Sequence, residues 1–445
     1  PSGLGAAWQT WQMPDSRRMQ LLGLLSGSVA AAAVTWWALS AYFRVSIAES
    51  IAYLTDDGRC QPLALPGISP HCWQDYAQFI GLHGLTIGPD DNQFISNYPP
   101  ISRVVFRAFE ALGSLLGTTP MLVLFLLVNL LGLLVPAIWA SRRMPWSQRV
   151  MVVSLLGVAT LPTLATLDRG NNLGLIIPAL LVFMVALLSE RYLLSVIMIV
   201  IVAQFKPQFL VLVFALMAVR QWRRAAQAII ASVAVLAASF LVFGTQALYQ
   251  ARLFVEYLVK FNGYQPLEAA YPPNISFGRF IQVAFATVTS VLPDPLRSNI
   301  METWLAYRAP ALLGIAFAVA AALLMIYLGN RVPVFLLASF ALVIGACFPG
   351  ITNAYYSAVV LCIGAYVVAR DDIPGLTGRW ATTMLAAITL SLSLAVIPYG
   401  FTGDLQSNGV IAMNLTPILA TGAWMILIAA VLLRQIRMPA RVVTP

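Results

Sequence analysis

The chain has 445 residues, of which 60% are hydrophobic and only 10% charged, with a mean hydropathy of +0.83. Soluble domains carry roughly 25% charged residues, so a water-facing globular fold is excluded and lipid must cover most of the surface. The net charge of +9 does not indicate nucleic acid, because the basic residues sit in short links between apolar runs.

Taken in chain order, runs near the roughly 20 residues that cross a bilayer lie at 21–43, 120–140, 150–167, 172–189, 225–244, 309–329, 333–348, 354–369, 380–397 and 411–433. The first is longer than the roughly 7–15-residue apolar core of a signal peptide, and reads as a span. Between 192 and 219 the apolar run is interrupted by "FKPQ". Proline there removes a backbone donor and disfavours helix at the residue before it, which predicts two shorter helices meeting at a bend. The expected fold is an all-α integral membrane protein, a single polytopic domain over 1–445 with about 12 transmembrane or half-spanning helices. Two large outer loops are expected, 44–119 and 245–308. No periodic repeat is visible.

Arginines occupy alternate links: Arg17 and Arg18; Arg142, Arg143 and Arg149; Arg220, Arg223 and Arg224; Arg331; Arg370 and Arg379; Arg434, Arg437 and Arg441. Basic links stay cytoplasmic, so both termini are expected inside. The outer face then collects 44–119, "LDRGNN", 245–308, "FPGITNAYY" and "PYGFTGDLQSNG". Apolar residues at helical spacing in 98–117 and 247–261 predict helices lying in the membrane interface.

The chain has no P-loop, HExxH, G-x-S-x-G or Cys/His cluster. Its two histidines, His71 and His83, share the first outer loop with Cys60 and Cys72. Outside the cytoplasm the two cysteines are a candidate disulfide, although their spacing is equally compatible with two thiols. Cys347 and Cys362 lie in apolar runs and read as packing residues. What remains is a set of isolated ionisable groups at expected membrane boundaries: Asp75, Asp168, Arg169, Lys206, Glu256, Lys260 and Arg279. Charges near lipid generally mark function or pairing, and for Asp168 and Arg169 a local ion pair closing a turn is the alternative.

In order, these residues resemble the GT-C glycosyltransferases that use polyprenyl-phosphate sugars, particularly the bacterial polyprenyl-phosphate-mannose-dependent mannosyltransferases. The resemblance rests on "DYAQFIGLHGLTIG" followed by "NYPP", on Gly170-Asn171-Asn172, on Lys206-Pro207 and on Asn274–Ser276. Where those enzymes often carry a histidine pair in a late outer loop, this chain has Ala354 and Tyr355. Arabinofuranose-transferring relatives keep a pentose donor open. The resemblance implies Asp75 as general base and Lys206, Arg169 and Arg279 as donor-phosphate contacts. Tyr98, Asp168, Asn171, Asn172, Asn274 and Tyr355 would contact substrate. An aspartate of ordinary pKa near 3.9 is ionised at neutral pH. One base suffices for direct displacement, so inversion at the anomeric carbon is implied.

The expected partners are a polyprenyl-phosphate-linked sugar, membrane lipid, and an acceptor hydroxyl on a glycolipid, a polysaccharide or a secreted protein. No cofactor is called for by the residues, with a divalent cation left open. The expected location is a bacterial inner membrane with the site facing outward. A lipid-linked-sugar transporter or flippase, and a glycan polymerase or ligase, are the competing readings.

Overall fold

The computed structural model describes residues 17–43, 75–76, 98–263, 274–289, 304–349, 352–370, 372–373, 376, 378–401 and 412–437. Cys60, Cys72, His71 and His83 lie outside the described residues.

In chain order the helices are α1 (Arg17–Phe43), α2 (Pro100–Leu116), α3 (Thr118–Ser141), α4 (Trp146–Val152), α5 (Leu161–Arg169), α6 (Leu173–Leu188), α7 (Tyr192–Phe205), α8 (Val213–Ala218) and α9 (Trp222–Ser239). They continue as α10 (Ala247–Gly263), α11 (Phe277–Thr289), α12 (Trp304–Leu328), α13 (Val334–Cys347), α14 (Val359–Ala369), α15 (Gly378–Leu392) and α16 (Thr416–Arg437). Prolines open many of them. Pro100, Pro162 and Pro207 occupy the first turn of a helix, and Pro145 and Pro333 immediately precede one. There the missing N–H costs nothing and the fixed φ suits the helix.

Among the described residues, five helices are long and apolar enough to cross a membrane: Arg17–Ala38, Thr119–Ser141, Trp222–Glu256, Arg308–Arg331 and Thr416–Arg437. A bent pair, Trp146–Val158 with Leu161–Arg169 at 56°, makes a sixth candidate, and shorter apolar helices of 10–17 residues complete the set. The chain is therefore predominantly helical and membrane-like in composition, as its sequence implies.

Three details differ from the reading of the sequence. The run 150–167 is two helices, because a π turn over Val153–Val158 gives way to extended backbone at Thr160. Thr160 and Thr163 bond each other there at 2.9 Å, and the Thr163 hydroxyl donates to the Gly157 carbonyl at 2.8 Å. The run 380–397 stays helical only to Leu392, where Ser393 Oγ accepts from the Ala395 N–H at 3.0 Å. Beyond it lies a small antiparallel hairpin, β1 (Pro398–Phe401) with β2 (Ala412–Asn414). The expected bend at Lys206 is present: α7 ends at Phe205 and a 3-10 turn over Pro207–Leu212 leads into α8.

The core is built around α13 and α14. Every residue from Phe335 to Cys347 is buried, and so is almost all of α14. Phe335 stacks on Tyr366 at 5.3 Å, and Tyr366 stacks on Trp139 of α3 at 6.3 Å. Followed along alternating helices, the arginine-rich turns fall at one set of helix ends. The turn 169–173, Lys206, and Ala354–Ala358 fall at the opposite set.

The crossing of α3 and α6 fixes that second set. Gly132 faces Gly174 so closely that a Cβ on Gly132 would collide with the Gly174 backbone. One on Gly174 would collide with that of Asn129. Gly174→Ala is predicted to destabilise the protein by about 1–3 kcal/mol, as overpacking does. Apparent melting temperature in detergent would fall, while Gly27→Ala, with open space around it, would leave it unchanged.

Candidate active site

The turn "LDRGNN" between α5 and α6 is built from local chemistry. Gly170 takes the left-handed conformation (φ 63°), which costs glycine little. The Gly170 N–H bonds the Leu167 carbonyl and the Asn171 N–H the Thr166 carbonyl, both at 3.0 Å. This is the paired 5→2 and 6→1 ending of a Schellman motif. Asn171 Oδ1 then accepts from the Leu173 N–H at 3.0 Å, serving one unpaired donor at the start of α6. One helix ends and the next begins within three residues. Arg169, the last residue of α5, and Asn171, two residues ahead of α6, thereby reach the same partner.

That partner is Asp75, buried against the bundle. Arg169 Nε donates to Asp75 Oδ1 at 2.9 Å, Asn171 Nδ2 donates to Oδ2, and Tyr98 Oη lies 3.1 Å from Oδ2. Tyr98 Oη also accepts from Asn171 Nδ2 and from Lys206 Nζ, each at 2.8 Å. The Asn171 amide orientation is set by its bond to Leu173, and an ammonium can only donate. The phenol therefore has one direction left for its own proton, toward Asp75. The three contacts to Asp75 all use it as an acceptor, so the network favours the ionised carboxylate.

Burial opposes this and pushes the Asp75 carboxyl above its usual 3.8; the positive charge of Lys206 and the hydrogen bonds from Asn171 and Tyr98 pull the other way. Burial is the largest influence, so the carboxylate is more basic than a solvated aspartate. Tyr98 is pushed well above its usual value by burial and by the adjacent carboxylate, so it stays a neutral donor.

Lys206 is only 4% exposed. Its ammonium sits 4.0 Å from the Tyr98 ring centroid and 5.2 Å from that of Tyr356, and cation–π attraction of this kind offsets part of the cost of burying the charge. Tyr355 packs in a tilted pair with Tyr356, ring centroids 4.9 Å apart, and accepts from Asn353 Nδ2 at 3.2 Å.

Asn172 does not join Asp75: its Nδ2 donates to Ser102 Oγ of α2 at 2.6 Å, tying the turn to that helix. Asn274 Oδ1 accepts the N–H groups of Ser276 and Thr352, both at 3.0 Å. Ile275 N–H donates to the Thr352 carbonyl at 2.7 Å, and the Ile275 carbonyl accepts from Thr421 of α16 at 2.8 Å. This strut braces the segment that carries Tyr355 and Tyr356. Arg279 is buried on α11 and donates to Gln282 at 2.6 Å. Asp168 is half-buried beside Arg169, whose ion pair runs to Asp75 across 94 residues of sequence. Among the described residues no three His, Cys, Asp or Glu side chains converge, so no ligand set emerges for the divalent ion.

Two contributors escape sequence reasoning. Tyr356 flanks Lys206, as above. Tyr76 anchors Asp75: its ring lies 4.7 Å from Phe125, which also meets Phe106 at 5.4 Å and Phe109 at 5.2 Å. The signal available was an aromatic adjacent to the acid and a pair of phenylalanines three apart on α2. Truncating a buried aromatic costs about 3–5 kcal/mol, so Tyr76→Ala is predicted to lower the apparent melting temperature clearly, whereas Tyr76→Phe, keeping the ring, shifts it little.

A family model described as Glycosyltransferase family 87, a GT-C-type family, matches residues 94–349, more than half of the chain. The matched stretch contains Tyr98, Arg169, Asn171, Lys206 and Asn274, while Asp75 precedes it. No curated protein and no solved structure matched the chain. The chain belongs to glycosyltransferase family 87.

Proposed function

We propose that this glycosyltransferase moves a single sugar, of mannose or arabinofuranose type, from a polyprenyl-phosphate donor to an acceptor hydroxyl, with inversion. The site would face outward from a bacterial inner membrane. The observation that carries this reading is the buried Asp75 side chain, which accepts hydrogen bonds from Arg169, Asn171 and Tyr98, with Lys206 behind Tyr98.

Asp75 Oδ2 has two donors and Oδ1 has one among the described residues. A carboxylate offers about four lone-pair sites, so Oδ1 is the oxygen with capacity for the incoming proton. In the transfer, the acceptor oxygen attacks the anomeric carbon and gives its proton to Asp75 Oδ1. The bond from that carbon to the phosphate oxygen breaks, and its electron pair leaves with polyprenyl phosphate. The proton on Asp75 is then lost to solvent.

Preorganised cations near the growing phosphate charge favour such a transition state. Arg169 takes the leading place here, ahead of Lys206, because its side chain is 17% exposed. Lys206 is enclosed by aromatic rings and committed to Tyr98. Arg279, Asp168, Asn172, Asn274 and Tyr355 complete the proposed surroundings of donor and acceptor. The mobile apolar tail is accommodated by the lipid-facing side of the bundle, where Val104, Leu112, Leu115 and Leu116 of α2 are exposed.

General-base catalysis contributes roughly 10²–10⁴-fold. Asp75→Asn is therefore predicted to cut transfer from a single-sugar polyprenyl-phosphate donor by about that factor without unfolding the protein. Near wild-type turnover would remove Asp75 from the role. The rate should also fall as pH drops through the Asp75 pKa, because the accepting form is the carboxylate. With burial raising that pKa above 3.8, the acid limb of kcat/KM is predicted at higher pH than an ordinary aspartate gives. A preassembled glycan as the required donor would instead mark a ligase.

A further inference from the structure

We infer that Arg169 is an exchangeable partner: it holds Asp75 Oδ1 in the empty site and transfers to the donor phosphate when the donor binds, releasing that oxygen to take the acceptor proton. The inference rests on the donor class proposed above and adds an order of events to it.

Four observations carry it. The Arg169–Asp75 contact falls on Oδ1, whereas the other two donors, Tyr98 and Asn171, share Oδ2. The contact is made through Nε at 2.9 Å, not through the paired terminal nitrogens that give the firmest grip on a carboxylate. Arg169 is the more exposed partner, 17% against 7% for the Asp75 side chain. Finally, the two groups that hold Oδ2 are themselves immobilised, Asn171 by its bond from the Leu173 N–H and Tyr98 by Lys206. Moving Arg169 thus leaves the carboxylate in place.

The chemistry gives the exchange a consequence. A guanidinium on Oδ1 stabilises the carboxylate and weakens it as a base. Transfer of that cation to a phosphate restores basicity only once the donor is present, so an acceptor hydroxyl is not activated in an empty site. After transfer the product phosphate carries more charge than the donor diester and holds Arg169 more tightly, until its departure resets the pair.

The test is binding of sugar-free polyprenyl monophosphate to the purified full chain, for the wild type, Asp75→Asn, Arg169→Gln and the double variant. If Asp75 competes for Arg169, Asp75→Asn binds the probe about tenfold tighter than the wild type. Arg169→Gln binds more weakly by a similar factor, and the double variant matches Arg169→Gln. A gain from Asp75→Asn that persists undiminished in the Arg169→Gln background would reflect general charge removal and overturn the exchange. So would an unchanged or weaker affinity in Asp75→Asn. Should Arg169→Gln fail to fold, Arg169→Lys completes the same cycle: it keeps the cation on a shorter reach, and the Asp75→Asn gain is predicted to shrink there too. Absence of probe binding by the folded wild type would contradict the donor class itself, an outcome distinct from additive behaviour in the cycle.

Discussion

A carboxylate buried among membrane helices must be supplied with hydrogen-bond donors, and the arrangement around Asp75 follows from that requirement. Desolvating an unpaired carboxylate costs several kcal/mol or more. Here three donors from two separate segments converge on it: Tyr98 ahead of α2, and Arg169 and Asn171 on either side of one glycine. Lys206 adds a positive charge one hydrogen bond further away, through the Tyr98 hydroxyl. Since Lys206 and the Asn171 amide can only donate to that hydroxyl, its proton has a single destination. The network is directional, and its direction favours a carboxylate poised to accept.

The fold supplies this arrangement through breaks in its helices. Left-handed Gly170 lets α5 end and α6 begin within a single turn, and the glycine contact between α3 and α6 sets how deeply that turn sits. The proline after Lys206 stops α7 where the ammonium meets Tyr98 and Tyr356. Asn274 and Thr421 brace the late segment from the opposite side. Irregular backbone of this kind is tolerated at membrane depth only where protein or a polar cavity satisfies it. The break at Gly170 is satisfied by backbone bonds and the Asn171 side chain, and the break at Lys206 by backbone bonds alone.

Much of this was legible in the sequence, because composition, apolar run length and proline position act locally. The membrane class, the bend at Lys206 and the helix following "YPP" all follow from such signals. The individual members of the site also stood out, as rare polar residues in an apolar chain. Their connections did not, since Arg169 and Asp75 lie 94 residues apart and only the packed bundle joins them. The alternative of a local Asp168–Arg169 pair gave no hint of the distant contact that Arg169 makes with Asp75. Tyr76 and Tyr356 were indistinguishable from ordinary core aromatics, and the break at Thr160 was masked by a continuous apolar run. The hairpin after Leu392 escaped notice because β1 opens a segment that reads as an outer loop and β2 falls at the start of the last apolar run.

In the proposed reaction one carboxylate, Asp75, accepts the acceptor proton during direct displacement at the anomeric carbon. The most direct measurement is the anomeric configuration of the product, read by NMR after transfer from a single-sugar polyprenyl-phosphate donor of known configuration. A single base and one displacement predict the inverted anomer. A retained configuration would require a second displacement and would contradict transfer in one direct step.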